Sequence, residues 1–400
     1  MRQRIARIVC AAAAAAASCA AAATPHWVAT WSASPDGTGT PFHAQSIREI
    51  VRISIGGSQV RIHLSNQLGT MSVRIGPVHV GLHAQASAIK AGSDRAVSFG
   101  GEASVTLAAG SSALSDPIDL TVAPLQELAV SLYFPEATGP SSHHILGWER
   151  TFVTESGDAT GAVIFPDSDV ISSRPYLSDI EVAADAAASI VVAFGDSITD
   201  VAASTPDKNR RWPDVLATRL HADPRGAHIG VINAGITGNR ILHDKMGPSA
   251  LSRFERDALD KPGARWVILL EGVNDIGFVG LPAAAADDVS AQQIEDGMKE
   301  LIARTHQRGL KIMGGTITPF AHYDWPYHTR AGEAKRQAVN AWIRTAGAFD
   351  ATVDFDRALR DPAHDDRLRP IYDSGDHIHP NDAGCAALAN AVDLKVIETN

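Results

Sequence analysis

One serine in this sequence stands where an attacking hydroxyl could act. Residues 191–200 read VVAFGDSITD, so Ser197 directly follows an apolar strand and precedes a predicted helix. In open α/β sheets the functional crevice lies outside the carboxyl ends of the strands. Ser197 is therefore the first candidate nucleophile. Gly-Asp-Ser is also a common turn composition in which the serine only caps a helix, so the assignment needs partner residues.

An acid and a base lie close together near the end of the chain. Residues 372–380 read YDSGDHIHP and precede a helical pattern over residues 383–396. A hydroxyl is a weak nucleophile at its free pKa and needs an imidazole to take its proton, and that imidazole needs a third group to fix its tautomer. We therefore predict His379 as the base and Asp376 as the group that orients it.

Two further stretches end predicted strands in turns that are rich in backbone donors. They are residues 231–240, VINAGITGNR, and residues 266–275, WVILLEGVND. Ester hydrolysis through a serine builds negative charge on the carbonyl oxygen, and each preorganised donor there contributes roughly 3 to 4 kcal/mol. The backbone amides of Ser197 and Gly238 and the side chain of Asn274 are the candidate donors.

Together these segments resemble the SGNH (GDSL-type) hydrolase superfamily, which is named after one Ser, Gly, Asn and His in four separated blocks. The blocks occur in the family's order at residues 195–198, 233–239, 272–275 and 376–379. Each block is a weak signal alone, but four in order, three of them at strand ends, are specific. The resemblance covers residues 186–400.

The resemblance implies particular roles for these residues and no cofactor. Ser197 would be the nucleophile, His379 its base and Asp376 the partner of that base. The same three donors, from Ser197, Gly238 and Asn274, would form the oxyanion hole. The family pattern favours the second-block glycine that is followed by an asparagine, which selects Gly238.

A metal site is the alternative for the acid and base. Its ligands would be Asp376, His377 and His379 with one of His322, His328 and His364. However, His379 cannot both hold a metal and accept the serine proton, and no second closely spaced ligand pair occurs. We therefore expect no metal and no cofactor, with His377 an exposed neighbour.

The roles of several nearby residues stay open at this point. Asp200 and Asp275 either support the site or serve as caps and turn carboxylates. Arg240 is predicted to be an exposed loop residue. An aromatic loop after residue 320 either contacts substrate or packs as an Ω-like loop. Its aromatic residues are Tyr323, Trp325 and Tyr327.

These candidate residues must be positioned by an α/β unit, predicted over residues 186–400. Strand patterns cover residues 190–194, 229–233, 266–270, 310–317 and 352–355, and helical patterns between them include residues 292–307 and 331–346. This alternation favours a parallel sheet covered on both faces. With the resemblance, it predicts a flavodoxin-like hydrolase domain.

Residues 24–185 have a different pattern, with hydrophobic period two and turn residues between short strands. Residues 50–55 and 59–64 are predicted as two strands around a glycine turn at residues 56–58. Further short strands favour an antiparallel β-sandwich domain. With its opening, WVATWSASP, this segment also resembles a secreted two-domain subgroup of the family. It could bind carbohydrate, shape the entrance to the site or only pack.

The first 23 residues are predicted to be a signal peptide. A basic start, MRQRIAR, leads into an alanine-rich run with small residues near a cleavage point. We therefore expect a secreted or periplasmic protein, with lipid attachment at Cys19 as a minor alternative. Cleavage after Ala23 leaves Cys385 as the one remaining cysteine, which we predict to be a buried, unreactive residue.

Charge and hydropathy restrict the partners. The formal net charge is −10, which argues against nucleic acid. No apolar stretch after residue 24 approaches the roughly 20 residues of a membrane span, so no integral membrane segment is expected in the mature chain. The sequence does not indicate an oligomeric state.

The residues therefore predict a secreted serine esterase that hydrolyses carboxylic esters, with short acyl groups such as acetyl favoured. The substrate would be a small-molecule or polysaccharide ester. The alternatives are a lipase or lysophospholipase that acts on longer acyl chains, and a carbohydrate-binding protein with an inactive hydrolase domain.

Overall fold

A computed structural model describes residues 24–166, 168–200, 203–280, 286–323 and 326–398. The predicted signal peptide, with Cys19, and Trp325 of the aromatic loop lie outside the described residues.

The region before residue 185 consists of antiparallel strands, as predicted. A four-stranded sheet has the order β1-β16-β4-β10, and a seven-stranded sheet contains the path β14-β13-β3-β11-β6-β7, with β8 pairing with β6. The strands are β1 (His26–Ser32), β2 (Gly37–Gly39), β3 (Gln45–Arg52), β4 (Val60–Ser65), β5 (Val73–Ile75), β6 (Val78–Gln85), β7 (Ala88–Ile89), β8 (Arg95–Val97), β9 (Val105–Leu107), β10 (Ser112–Leu114), β11 (Glu127–Phe134), β12 (Ser141–His144), β13 (Thr151–Thr154), β14 (Ser168–Ile171), β15 (Arg174–Pro175) and β16 (Leu177–Ala184).

Hydrophobic period two places one face of these strands in the core. In β4 the residues Val60, Ile62 and Leu64 are fully buried, while the positions between them are partly exposed. They share one hydrophobic cluster with Val130 and Leu132 of β11, which belongs to the other sheet. The two sheets therefore bury a common core, as a β-sandwich does.

The predicted hairpin at residues 56–58 is wrong, although both of its strands exist. β3 pairs with β11 and β13, whereas β4 pairs with β16 and β10, so the connection crosses from one sheet to the other. A Cβ on Gly56 would lie 2.4 Å from the carbonyl oxygen of Val122, and one on Gly57 would lie 2.6 Å from that of Ala183. These glycines permit close backbone approach rather than a tight turn.

The later part of the chain contains a five-stranded parallel sheet with the order β18-β17-β19-β20-β21. This is the flavodoxin-like order, and it confirms the predicted fold class. The last predicted strand ends early, because Phe355 begins a helix instead. The strands are β17 (Ser189–Gly195), β18 (Ile229–Gly235), β19 (Ala264–Leu270), β20 (Lys311–Gly315) and β21 (Ala351–Val353), followed by a small antiparallel pair, β22 (Arg360–Asp361) and β23 (His364–Leu368).

Helices cover this sheet. α5 begins at a capping box in which Ser290 and Gln293 satisfy each other's backbone amides, and it starts one residue before the predicted range. The predicted helix over residues 383–396 is divided in two, because Val392 has extended backbone angles. The α-helices are α1 (Ser197–Asp200), α2 (Trp212–Ala222), α3 (Ala250–Phe254), α4 (Val273–Gly277), α5 (Ala291–Gln307), α6 (Arg330–Thr345), α7 (Phe355–Leu359), α8 (Asp382–Ala391) and α9 (Leu394–Glu398), with a π-helical turn at Glu255–Leu259 and a 3₁₀ turn at Phe278–Gly280.

The β region and the α/β region are packed tightly together. The amide of Val231 on β18 donates to Ser54 Oγ at 3.1 Å, and the amide of Ala29 on β1 donates to the carbonyl of Pro262 at 2.9 Å. One hydrophobic cluster runs through both regions. The predicted division into two domains at residue 185 stays a prediction. Among the described helices, none combines the length and apolar character that a membrane crossing requires.

Candidate active site

Ser197 lies at the carboxyl end of the fully buried strand β17, as the first residue of α1. The turn between them is held by Asp196, whose carboxylate accepts from the amide of Ile198 at 2.9 Å. A Cβ on Gly195 would lie 2.4 Å from the carbonyl oxygen of Leu270 on β19, so the strand can end this close to its neighbour only with glycine. Asp196 therefore shapes the turn.

The structure brings His379 and Asp376 to this serine. The hydroxyl of Ser197 donates to His379 Nε2 over 2.8 Å, and His379 Nδ1 donates to Asp376 Oδ2 over 2.6 Å. The other oxygen of Asp376 accepts from the amides of Ile378 and His379 and from the hydroxyl of Ser374. The loop therefore holds the carboxylate of Asp376 in place, and this carboxylate in turn orients the imidazole of His379.

The charge of Asp376 is stabilised where it stands. Burial acts to raise its pKa, but the hydrogen bond and charge of His379, together with two backbone amides, hold the pKa of Asp376 well below its usual range. An ionised carboxylate on Nδ1 keeps the proton there and leaves the Nε2 lone pair facing the serine. This arrangement allows His379 to take the serine proton.

Two of the predicted oxyanion residues, Gly238 and Asn274, lie on adjacent segments of the chain. Asn274 is on α4, and its Nδ2 donates to the carbonyl of Asn239 over 2.8 Å, one residue beyond Gly238. Gly238 has a φ of +73°, and a Cβ on it would lie 2.4 Å from Met246 Sδ. Gly235 differs, because its restriction is packing against the backbone of Asp200. The oxyanion roles themselves stay a prediction.

Arg253, a buried arginine that sequence reasoning missed, links the ends of β17 and β18 to Asn239. The guanidinium of Arg253 donates to the carbonyls of Gly195 and Ala234 at 3.0 and 2.8 Å and to Asn239 Oδ1 at 2.9 Å. Asp257 balances its charge at 3.2 Å. The local signal was only an arginine four residues before an aspartate, which usually indicates a surface ion pair.

Two further buried carboxyls lie in and beside the third block. Burial raises the pKa of Glu271 well above its usual range, and nearby Asp196 adds to the effect. Burial also raises the pKa of Asp275, whose carboxyl accepts from the amides of Ile241 and Leu242. Asp275 therefore supports the site by holding the loop that follows Asn239.

The β region reaches the site through His144, which sequence reasoning also missed. His144 Nε2 donates to Asp200 Oδ1 at 3.1 Å, and Nδ1 donates to the carbonyl of Ser34 at 2.9 Å, with Asp36 Oδ2 3.5 Å away. Asp200 also accepts from the hydroxyl of Thr237. Burial alone would lower the pKa of His144, but the two carboxylates raise it to about 9.

Two predictions for residues around the site, Arg240 and the aromatic loop, had different outcomes. Arg240 is buried and paired with Asp287 at 3.2 Å, so the exposed-loop prediction is wrong. Tyr327 is packed against Phe278, Phe320 and Tyr323 rather than presented to solvent.

Two of the histidines considered as metal ligands, His377 and His328, have carboxylate partners. His377 Nδ1 donates to Asp373 at 2.6 Å and its ring is partly exposed, and His328 lies 3.9 Å from Glu333. Within the described ranges, no group of three or more His, Cys, Asp and Glu side chains is arranged to hold a metal ion. Cys385 is buried and unpaired with another cysteine, as predicted.

Known proteins resemble this chain in the same segment. Residues 193–387, which contain all four blocks, match the model of the GDSL-like lipase/acylhydrolase family. No curated protein matches the sequence. Similar solved structures include the carbohydrate acetylesterase Est24 from Sinorhizobium meliloti (16% identity, 53% of this chain and 100% of that chain, TM-score 0.42), an aryl esterase from M. smegmatis (20%, 52% and 99%, 0.42) and a GDSL-like lipase from Bacteroides thetaiotaomicron (19%, 53% and 89%, 0.39).

Proposed function

Because residues 193–387 form a GDSL-like lipase/acylhydrolase domain, and the protein is thus a carboxylic ester hydrolase, we propose that it is a secreted serine esterase specific for short acyl esters. One observation carries the mechanistic part of this proposal. His379 lies between the hydroxyl of Ser197 and the carboxylate of Asp376, with hydrogen bonds of 2.8 and 2.6 Å.

In the proposed acylation step, Ser197 Oγ attacks the ester carbonyl while its proton moves to His379 Nε2. Asp376 stabilises the imidazolium that forms. Collapse of the tetrahedral intermediate breaks the bond to the alcohol oxygen, which takes the proton from Nε2. The products of this step are a free alcohol and an acyl-serine.

Water completes the cycle. His379 takes a proton from a water molecule, the resulting hydroxide attacks the acyl-serine, and Ser197 leaves with that proton as the acid is released. During both steps the amides of Ser197 and Gly238 and the side chain of Asn274 would donate to the oxyanion. These donors need no cofactor to stabilise the charge.

We place the alcohol part of the substrate in a cavity beside the catalytic loop. The cavity has a volume of about 480 Å³ and includes Gly375, directly before Asp376, in its lining. Five of its nine lining residues carry a charged or imidazole side chain: His322, Asp361, Arg367, Asp373 and His377. A sugar can hydrogen-bond to these side chains and pack against the apolar part of the lining, which includes Leu368 and Pro370, so the cavity favours a hydroxyl-rich alcohol group.

Hydrolysis of p-nitrophenyl esters from acetate to laurate tests the proposal. We expect the rate to be highest on acetate and to vanish in Ser197→Ala, while Ser72→Ala, an exposed serine of the β region, retains full activity. A maximum at long chains would favour the lipase alternative. Unchanged activity in Ser197→Ala would end the proposed mechanism.

Export is a separate part of the proposal and rests on the composition of the first 23 residues. Expression of the full chain in a bacterial host, followed by fractionation and intact-mass measurement, tests it. We expect the periplasm or medium to hold a protein shortened near Ala23. A full-length cytoplasmic product would contradict export without affecting the esterase proposal.

A further inference from the structure

The hydroxyl of Tyr327 contacts the side chain of Asn274, one of the candidate oxyanion donors. Its hydroxyl donates to Asn274 Oδ1, the oxygen of the side-chain amide whose Nδ2 donates to the carbonyl of Asn239. Tyr327 comes from the loop before α6, far from Asn274 in sequence. The contact therefore exists only in the folded protein.

The two hydrogen bonds together define the orientation of the amide. An asparagine side chain has an acceptor oxygen and an NH₂ group with two donors. If it turned over, its oxygen would face the carbonyl oxygen of Asn239 and its NH₂ group would face the hydroxyl of Tyr327. The carbonyl of Asn239 can only accept, so it selects the end of the amide that faces it, and the hydroxyl of Tyr327 donates to the other end and holds the side chain in this orientation. The second N–H of Asn274 is then left for the substrate oxygen.

The tyrosine is well held for this purpose. Its ring is buried in edge-to-face contacts with Phe278, Phe320 and Tyr323 at centroid distances of 5.2 to 5.8 Å. A Cβ on Gly277 would overlap the ring, so α4 and the tyrosine are in close contact. Burial raises the pKa of Tyr327 well above its usual range, which keeps the hydroxyl protonated and able to donate.

We propose that Tyr327 is a positioning residue, which holds the amide of Asn274 in the orientation in which this side chain donates to the oxyanion. This inference rests on the proposed esterase function and adds a residue to it. Tyr327 acts through Asn274 and does not touch the substrate. Its removal should therefore slow the chemical step and leave substrate binding nearly unchanged.

A double-mutant cycle on p-nitrophenyl acetate hydrolysis tests the inference. Tyr327→Phe keeps the ring and removes the hydroxyl, and we expect kcat to fall on the order of tenfold with KM within about twofold of the original value. In an Asn274→Ala background the same change should have no further effect on kcat, because the amide that it orients is gone.

The control is Tyr176→Phe, which removes the hydroxyl of another buried tyrosine in the β region and should leave kcat unchanged. Rates are normalised to the folded fraction measured by circular dichroism, so that loss of stability is not counted as loss of catalysis. Equal losses from Tyr327→Phe in both backgrounds, or no loss in either, would overturn the inference. Absence of any Ser197-dependent hydrolysis in the unmodified protein would instead defeat the proposed function.

Discussion

At the scale of single residues, the site consists of a few polar groups whose hydrogen bonds are nearly all made within the chain. Asp376 is fixed by backbone amides before it binds His379, and Asn274 is fixed by Asn239 and Tyr327 before any substrate arrives. Preorganised groups need little reorganisation during the reaction, and this preorganisation is the main source of electrostatic catalysis. The decrease in kcat on substitution should therefore depend on the role of each residue.

Replacement of Asp376, the acid of the proposed triad, should lower kcat less than replacement of the nucleophile or the base. We expect Asp376→Asn to lower kcat by about 10⁴-fold, against about 10⁶-fold for Ser197→Ala or His379→Ala, because Asp376 acts only through His379, whereas Ser197 and His379 take part in each proton transfer. Steady-state kinetics on p-nitrophenyl acetate measure these values. Equal losses in all three variants would contradict this order.

The amide of Asn274 should contribute less than the triad. Removal of one oxyanion donor costs about 10²- to 10³-fold in kcat in serine hydrolases. We expect Asn274→Ala to fall in this range, with KM little changed. A loss of under about threefold would show that the side chain of Asn274 does not stabilise the transition state.

His144 should make the stability of the protein depend on pH. Its folded pKa, about 9, is above the usual value near 6.5, so its contribution is complete below pH 6.5 and is lost as pH rises through 9. The full loss is about 3 kcal/mol at most, from 1.36 kcal/mol per pKa unit. Urea unfolding at pH 6 and 9.5 measures it. In His144→Gln the fall over this range should be smaller, and an equal fall would contradict the assignment.

At the scale of elements, the position of α1 depends on how closely β18 approaches it. A Cβ on Gly235 would lie 2.4 Å from the amide nitrogen of Asp200, the last residue of α1, while Asp200 is held from its other side by His144 and Thr237. The helix that begins with Ser197 thus has little freedom to move. Its geometry is decided by backbone contact rather than by its own short sequence.

Gly235→Ala should therefore disturb the site as well as the fold. We expect a loss of about 1 to 3 kcal/mol in the free energy of unfolding, together with a lower kcat, because the added methyl displaces α1. The matched control is Gly161→Ala, where a Cβ would be 3.4 Å from its nearest neighbour, His79 Cε1. If both variants behave alike in urea unfolding and kinetics, this packing argument is wrong.

At the scale of the whole molecule, the β region and the α/β region share a core. Val28 of β1 lies against Gly263, where a Cβ would be 2.8 Å from Val28 Cγ1, and Lys261 is paired with Asp179 on β16. His144 adds a contact between the β region and α1. The β region therefore contributes to the packing around the site.

A shared core predicts cooperative unfolding. We expect calorimetry of the protein to show one transition whose van't Hoff and calorimetric enthalpies agree, since neither region can lose its packing without exposing the other. Two separated transitions would show that the regions are energetically independent, and would favour two domains with a boundary near residue 185.

Much of the fold could be predicted because its signals are local. Hydrophobic period two and the alternation of strand and helix patterns each involve neighbours in sequence. The first indicated the antiparallel β region, and the second placed the parallel strands within a few residues. The hairpin at residues 56–58 failed for the opposite reason. A glycine required by a tight turn cannot be told from local sequence apart from one required by close approach of another backbone. Here the approaching segments, at Val122 and Ala183, are distant along the chain.

The sequence by itself determined which residue types were available for chemistry and that Ser197, Gly238 and Asn274 follow strands of one predicted sheet. Only the tertiary structure decided how they are held. Arg253, His144 and Tyr327 act through partners that are distant along the chain, and no local pattern records such pairings. These pairings follow from burial, because a charge or hydroxyl that is removed from water requires a hydrogen-bonding partner within the fold.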